Sequence, residues 1–215
     1  AGVGKTSLVL SFAAQHENDV RLLWGACEAL FTPRPLAPVY DIVDGLDTWA
    51  AEPPTTDVER ARFFSALLEE LRARPTLAIV EDVHWADEAT LDALKYLGRR
   101  IDSTPSVLVL TFRDDEVSIQ HPLRSVLGDL PSESTTRIAL APLSAAGVEE
   151  LARRAGRLAY GLYETTGGNP FFVTEVLAGD GGDVPETFVD AVLARAARRS
   201  EGARRLLEAG AGVPA

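Results

Sequence analysis

The chain of 215 residues contains no methionine, one cysteine and three histidines, and aromatic residues make up only 7% of it. Without methionine there is no initiator, so the natural N-terminus is expected upstream of Ala1, and no signal peptide can be judged from such a start. One cysteine, Cys27, excludes an internal disulfide and favours a reducing compartment, the cytosol. No stretch approaches the roughly 20 unbroken apolar residues of a membrane helix, which predicts a soluble chain with no membrane partner. Basic residues are also short, 21 against 32 acids, and the net charge of -11 argues against this segment lying on DNA or an acidic membrane by itself.

What is present is a globular core-former, with 46% hydrophobic residues and length for one ordinary domain plus a smaller one. Its organising stretch is the start, Ala1-Gly2-Val3-Gly4-Lys5-Thr6-Ser7. Glycines that turn backbone amides inward, followed by a lysine, a hydroxyl and an apolar helix, form the last part of a phosphate-binding loop. Gly2, Val3, Gly4, Lys5, Thr6 and Ser7 are the candidate nucleotide contacts, with Lys5 reaching the outer phosphates and Thr6 ligating magnesium. The complete pattern has a further glycine that would fall two positions upstream of Ala1. The chain therefore reads as a fragment cut inside its own nucleotide site, and weak nucleotide affinity is expected of it alone.

Local signals then alternate along the chain. A helix is expected over 4–16, a buried strand over 20–24, a proline-broken loop over 25–38 and a helix over 39–50. Thr56-x-x-Glu59 has capping-box spacing before a helix that Pro75 ends. Thr76 to Val80 is an unalternating apolar run, as in a parallel strand covered on both faces. Asp87 reads as the N-cap of a helix reaching Asp102, and Val107 to Phe112 as a second buried strand. A helix over 122–130 and a weaker strand over 136–140 complete the pattern of a parallel α/β sheet. From Ser144 onward the patterns are helical only, at 144–155, 170–178, 186–199 and 201–209, which puts a boundary near Pro142.

Ligands of open α/β folds sit beyond the carboxyl ends of the strands, where three features should converge. Beside the glycine loop stands the strand Leu77-Ala78-Ile79-Val80, tipped by Glu81 and Asp82 in the form of a Walker B segment. Magnesium on a triphosphate needs a carboxylate, and a second carboxylate can orient the attacking water. By position Glu81 takes the metal with Thr6 and Asp82 the water, although the two acids could be exchanged. Arg113 at the next strand end could contact the terminal phosphate, or simply pair with Asp114, Asp115 or Glu116. His84 and Trp85 read as packing or capping residues of the loop, and Cys27 as a buried structural thiol.

Gly-Val-Gly-Lys-Thr-Ser-Leu, Val-Glu-Asp-Val-His-Trp-Ala-Asp-Glu-Ala-Thr-Leu-Asp, Leu-Thr-Phe-Arg-Asp-Asp-Glu and Gly-Gly-Asn-Pro-Phe-Phe-Val-Thr-Glu-Val-Leu stand in this order. Together they resemble the AAA-like ATPase module of large ATP-binding LuxR-family transcriptional regulators, within the signal-transduction ATPases with numerous domains. The resemblance spans nearly the whole chain. It implies a P-loop NTPase three-layer core with a parallel sheet, its first strand missing, over residues 1–142. An all-helical lid and the start of the following helical region, over 143–215, would follow, with Pro170 approaching the adenine, whereas the residues alone give Pro170 only as a helix start.

By the same resemblance Arg113 senses the terminal phosphate, and ATP with Mg2+ bridges core and lid as a slowly hydrolysing switch. Self-association of the full-length protein and DNA binding through a C-terminal domain absent here are implied too. Glu81 departs from the family, where many relatives carry Asp. Two alternatives stay open: a nucleotide-binding scaffold without significant hydrolysis, and the ATPase module of an adenylate cyclase or kinase-linked signalling protein.

Overall fold

The structure, a computed structural model, describes residues 2–46 and 54–179. The sequence-predicted helices over 186–199 and 201–209, and the end of the one over 39–50, lie outside these. Two compact units are present, one of Lys5–Ile138 and one joining residues 2–4 to the described residues from 139 onward.

The larger unit is built on a three-stranded parallel sheet whose spatial order follows the chain, β1 (Arg21–Ala26), β2 (Thr76–Glu81) and β3 (Val107–Leu110). Register runs Arg21 to Thr76 through Ala26 to Glu81 on one side of β2, and Leu77 to Val107 through Val80 to Leu110 on the other. As the middle strand, β2 has no water-facing side, and Thr76 to Val80 are all buried. Successive side chains of a strand point to opposite faces. Leu77 and Ile79 accordingly pack with Val9 and Ala13 of α1 (Lys5–His16), while Ala78 and Val80 join the main core.

That core is supplied by α2 (Ala37–Asp44), α3 (Asp57–Ala73), α4 (Glu88–Gly98) and α5 (Pro122–Gly128). Helices thus cover both faces of the sheet in three layers. Ile79, fully buried on the α1 face, would cost about 2–5 kcal/mol on truncation to alanine.

Local chemistry explains the boundaries. The Thr56 side chain accepts from the Glu59 amide and the Glu59 carboxylate accepts from the Thr56 amide, a complete capping box that starts α3. Asp87 accepts from the Thr90 amide at 3.0 Å and starts α4. The helix is shorter than its apolar spacing predicts, ending at Gly98, and a 3-10 turn over Ile101–Ser103 completes the stretch. Glycine is needed at position 25, because a Cβ there would stand 2.1 Å from the Pro38 carbonyl oxygen at the start of α2.

Two sequence expectations are corrected. Residues 136–140 form no strand, and Ile138 is 73% exposed. Apolar composition supplies only the tendency; a strand also needs a neighbour for its backbone groups, and none among the described residues pairs with this segment. For the same reason Val107 to Phe112 is not a fully buried strand. Its ladder covers only Val107–Leu110, its outer edge is unpaired among the described residues, and Val107 is 56% exposed.

The smaller unit holds α6 (Ala145–Arg154), α7 (Leu162–Thr166) and α8 (Pro170–Ala178), packed through Val148, Ala152, Leu162 and Val173. Its tightest point is Gly168, at φ +71°, where a Cβ would meet the Leu143 carbonyl oxygen at 2.1 Å. The same closeness lets the Leu143 amide donate to the Gly168 carbonyl at 2.8 Å. Among the described residues no helix is long and apolar enough to cross a membrane.

Candidate functional site

Parallel strands end together, so the termini of β1, β2 and β3 lie at one edge of the sheet. Past Ala26 the Cys27 amide donates to the Glu81 carbonyl at 2.9 Å, which fixes the last residue of β2. Past Leu110, Thr111 ties the chain to β2 and the turn after it: its amide donates to Val80 O at 3.1 Å and its carbonyl accepts from the Val83 amide at 2.9 Å. The buried Thr111 hydroxyl also accepts the Asp82 amide at 3.0 Å. These bonds hold the chain while it turns sharply. Asp82 has φ 50° and ψ 42°, the left-handed region that a short polar side chain tolerates better than most.

The two acids have different partners. Glu81 Oε1 accepts from the Thr6 hydroxyl at 2.6 Å, tying the end of β2 to the first turn of α1. Asp82 faces elsewhere, with its Oδ1 3.8 Å from His84 Nδ1 and 4.0 Å from Arg113 Nε. Arg113 donates to Glu116 Oε1 at 2.6 Å, and its guanidinium lies 5.1 Å from the centre of the Trp85 ring. The second Glu116 oxygen is 3.5 Å from His84 Nε2.

His84 stands out in this group. Its side chain is fully buried, and neither ring nitrogen has a hydrogen-bond partner among the described residues. Burial pushes its pKa below the ordinary histidine value. The Asp82 and Glu116 carboxylates pull it upward, and the Arg113 and Lys5 charges press it down further. Desolvation outweighs the two acids, so the ring is neutral near pH 7.

Of the other phosphate-loop residues, Gly2, Val3 and Gly4 belong to the smaller unit, and Lys5 and Ser7 to the larger one. Gly2 and Gly4 take φ 75° and φ 91° with Val3 between them, conformations open to glycine and strained for other residues. The Gly2 carbonyl accepts from the Phe171 amide at 3.1 Å, and a Cβ on Gly2 would lie 2.8 Å from Phe171 Cβ. Pro170 occupies the first position of α8 after the Asn169 cap, and a Cβ on Gly4 would stand 3.8 Å from Pro170 Cγ. Ser7 is exposed in the first turn of α1.

Three participants carry no site role in the sequence pattern. Thr111 had one signal, a hydroxyl residue directly after an apolar strand. His84 had none, since its burial between two acids comes from the turn at Asp82. Glu116 entered only as one of three acids that could pair with Arg113, and the 3-10 turn over Asp114–Glu116 selects it.

A hydroxyl and a carboxylate oxygen in mutual contact are hard oxygen donors of the kind magnesium takes beside substrate phosphates. Among the described residues no group of three or more His, Cys, Asp or Glu side chains gathers as a metal cage. The donor set therefore suits a cation whose remaining ligands come from water and substrate.

An edge of this kind, beyond the carboxyl ends of a parallel sheet with α1 tied to it through Thr6, is consistent with the core of a P-loop NTPase. The family model of the AAA ATPase domain matches residues 1–110, about half of the chain, and the chain belongs to that family. Membership implies nucleotide binding. No curated protein matches the chain.

Proposed function

We propose that this chain is the ATP-binding, slowly hydrolysing switch module of a multidomain bacterial LuxR-type transcriptional regulator. The observation that carries the nucleotide part is the Thr6 to Glu81 contact at 2.6 Å, which brings a phosphate-loop hydroxyl onto the acid that ends β2. In this reading Thr6 and Glu81 hold Mg2+, and Lys5 lies against the outer phosphates. When bound, the cation neutralises charge developing on the terminal phosphate. Asp82, whose amide is held by the Thr111 hydroxyl, orients the attacking water. Arg113 supplies positive charge to the phosphate oxygens. Pro170 is assigned to the nucleotide base.

The transcriptional part rests on the four motifs quoted above, which supply the expectation of self-association and of DNA contact through a further domain. The hydrolytic part is tested by steady phosphate release from the full-length protein. Asp82→Ala is expected to abolish release while ATP binding persists. Binding without release above background in the wild type would leave a nucleotide-binding scaffold instead.

A further inference from the structure

Arg113 enters the proposed mechanism as a free charge, but in this structure its guanidinium is already engaged. Glu116 Oε1 accepts from Nη1 at 2.6 Å, Asp82 Oδ1 is 4.0 Å from Nε, and Trp85 lies beneath it at 5.1 Å. Both members of the Arg113–Glu116 pair are largely shielded from solvent, with side-chain exposures of 20% and 28%. The pairing is dictated by the backbone. Arg113 caps a single 3-10 turn in which the Glu116 amide donates to the Arg113 carbonyl at 3.1 Å, so residues three apart stack on one side. A guanidinium matches carboxylate and phosphate with the same fork of donors. A phosphate arriving at Arg113 must therefore displace Glu116 or share the cation with it.

Resting on the nucleotide-binding reading above, we propose that Glu116 is a specificity-determining residue. It occupies Arg113 until a terminal phosphate takes its place, and so sets how strongly the site prefers a nucleoside triphosphate to a diphosphate. The local surroundings make this exchange feasible. Asp82 and Trp85 keep the guanidinium in position when Glu116 leaves. The displaced carboxylate has His84 Nε2 at 3.5 Å, a buried nitrogen with no hydrogen-bond partner among the described residues, which can receive it after a short adjustment. A diphosphate has no group to claim Arg113, and the Glu116 pair persists.

The test is ATP and ADP titration of the full-length protein, with Glu116→Gln as the isosteric variant lacking the charge. Glu116→Gln is expected to tighten ATP binding by about three- to fivefold, the upper end of what one ion pair contributes, and to leave ADP within about twofold. In an Arg113→Ala background the same substitution is expected to have no effect on ATP. Glu116→Asp, too short to keep the contact, is expected to behave like Glu116→Gln. That second variant keeps the test decisive if Glu116→Gln misfolds by circular dichroism. An equal change for both nucleotides, no change for either, or an effect surviving in Arg113→Ala overturns the role of Glu116. Failure of the wild type to bind either nucleotide would instead remove the nucleotide-binding reading itself, and this assignment with it.

Discussion

Thr6 and Glu81 stand 75 residues apart in sequence, yet the Thr6 hydroxyl donates to Glu81 Oε1 at 2.6 Å. If the two oxygens serve one cation, each substitution should weaken nucleotide binding through the metal rather than through the nucleotide. Thr6→Ala and Glu81→Gln in the full-length protein are expected to lower ATP affinity at least about tenfold in magnesium. In excess chelator both should bind within about threefold of wild type. Calorimetric titration under the two conditions checks this, and equal losses in both would mean that the pair is structural.

Asp82 carries a backbone constraint separate from its chemistry. At φ 50° and ψ 42° a side chain branched at Cβ is badly accommodated, whereas asparagine is tolerated almost as well as aspartate. Asp82→Asn is expected to match the wild type in urea unfolding within about 0.5 kcal/mol. Asp82→Val should lose about 1–3 kcal/mol. Equal unfolding midpoints for the two variants would contradict the constraint. If the prediction holds, Asp82→Asn is the variant in which lost turnover reports the carboxylate rather than the fold.

How much of this was legible in the sequence depended on how local each signal is. The capping box at Thr56, the cap at Asp87 and the unalternating run of β2 are written in adjacent residues, and the structure repeats them. The segment 136–140 was overread because its apolar composition is local while its ladder is not. Sequence leaves Glu81 and Asp82 exchangeable because their partners are not local: Glu81 meets Thr6, 75 residues earlier, and the Asp82 amide is held by the hydroxyl of Thr111, 29 residues later. The Arg113–Glu116 pair was visible as one possibility among three acids, and only the 3-10 turn distinguishes them.

Cys27 should be chemically silent while the protein is folded. Its thiol is buried, and that burial, reinforced by the Asp87, Asp82 and Asp41 charges, pushes its pKa up to about 12. The thiolate is the reactive form, and an ordinary thiol near 8.5 would be substantially ionised at pH 8. Iodoacetamide at pH 8 is expected to leave Cys27 unmodified in the native protein and to label it fully in urea, as read by intact mass. Rapid labelling without denaturant would show that the end of β1 opens readily.

His84 gives the protein a pH dependence whose sign follows from its burial. Folding lowers its pKa, chiefly by desolvation, so the unfolded chain takes up a proton near pH 6.5 while the folded ring is still neutral. The stability this neutral ring allows is complete above about pH 6.5 and declines as the pH falls toward the folded value, by at most about 1.4 kcal/mol per pH unit for one proton. Carboxylates also titrate as the pH approaches 5, so the wild-type curve alone does not isolate the ring. His84→Gln keeps a polar side chain there without that proton, and His16 and His121 are common to both proteins. Urea unfolding of nucleotide-free protein between pH 7.5 and pH 5 is therefore expected to show wild type losing stability relative to His84→Gln as the pH falls. Parallel curves would mean that the Asp82 and Glu116 carboxylates hold the ring's pKa at its unfolded value, the two effects cancelling where desolvation is assigned the larger share.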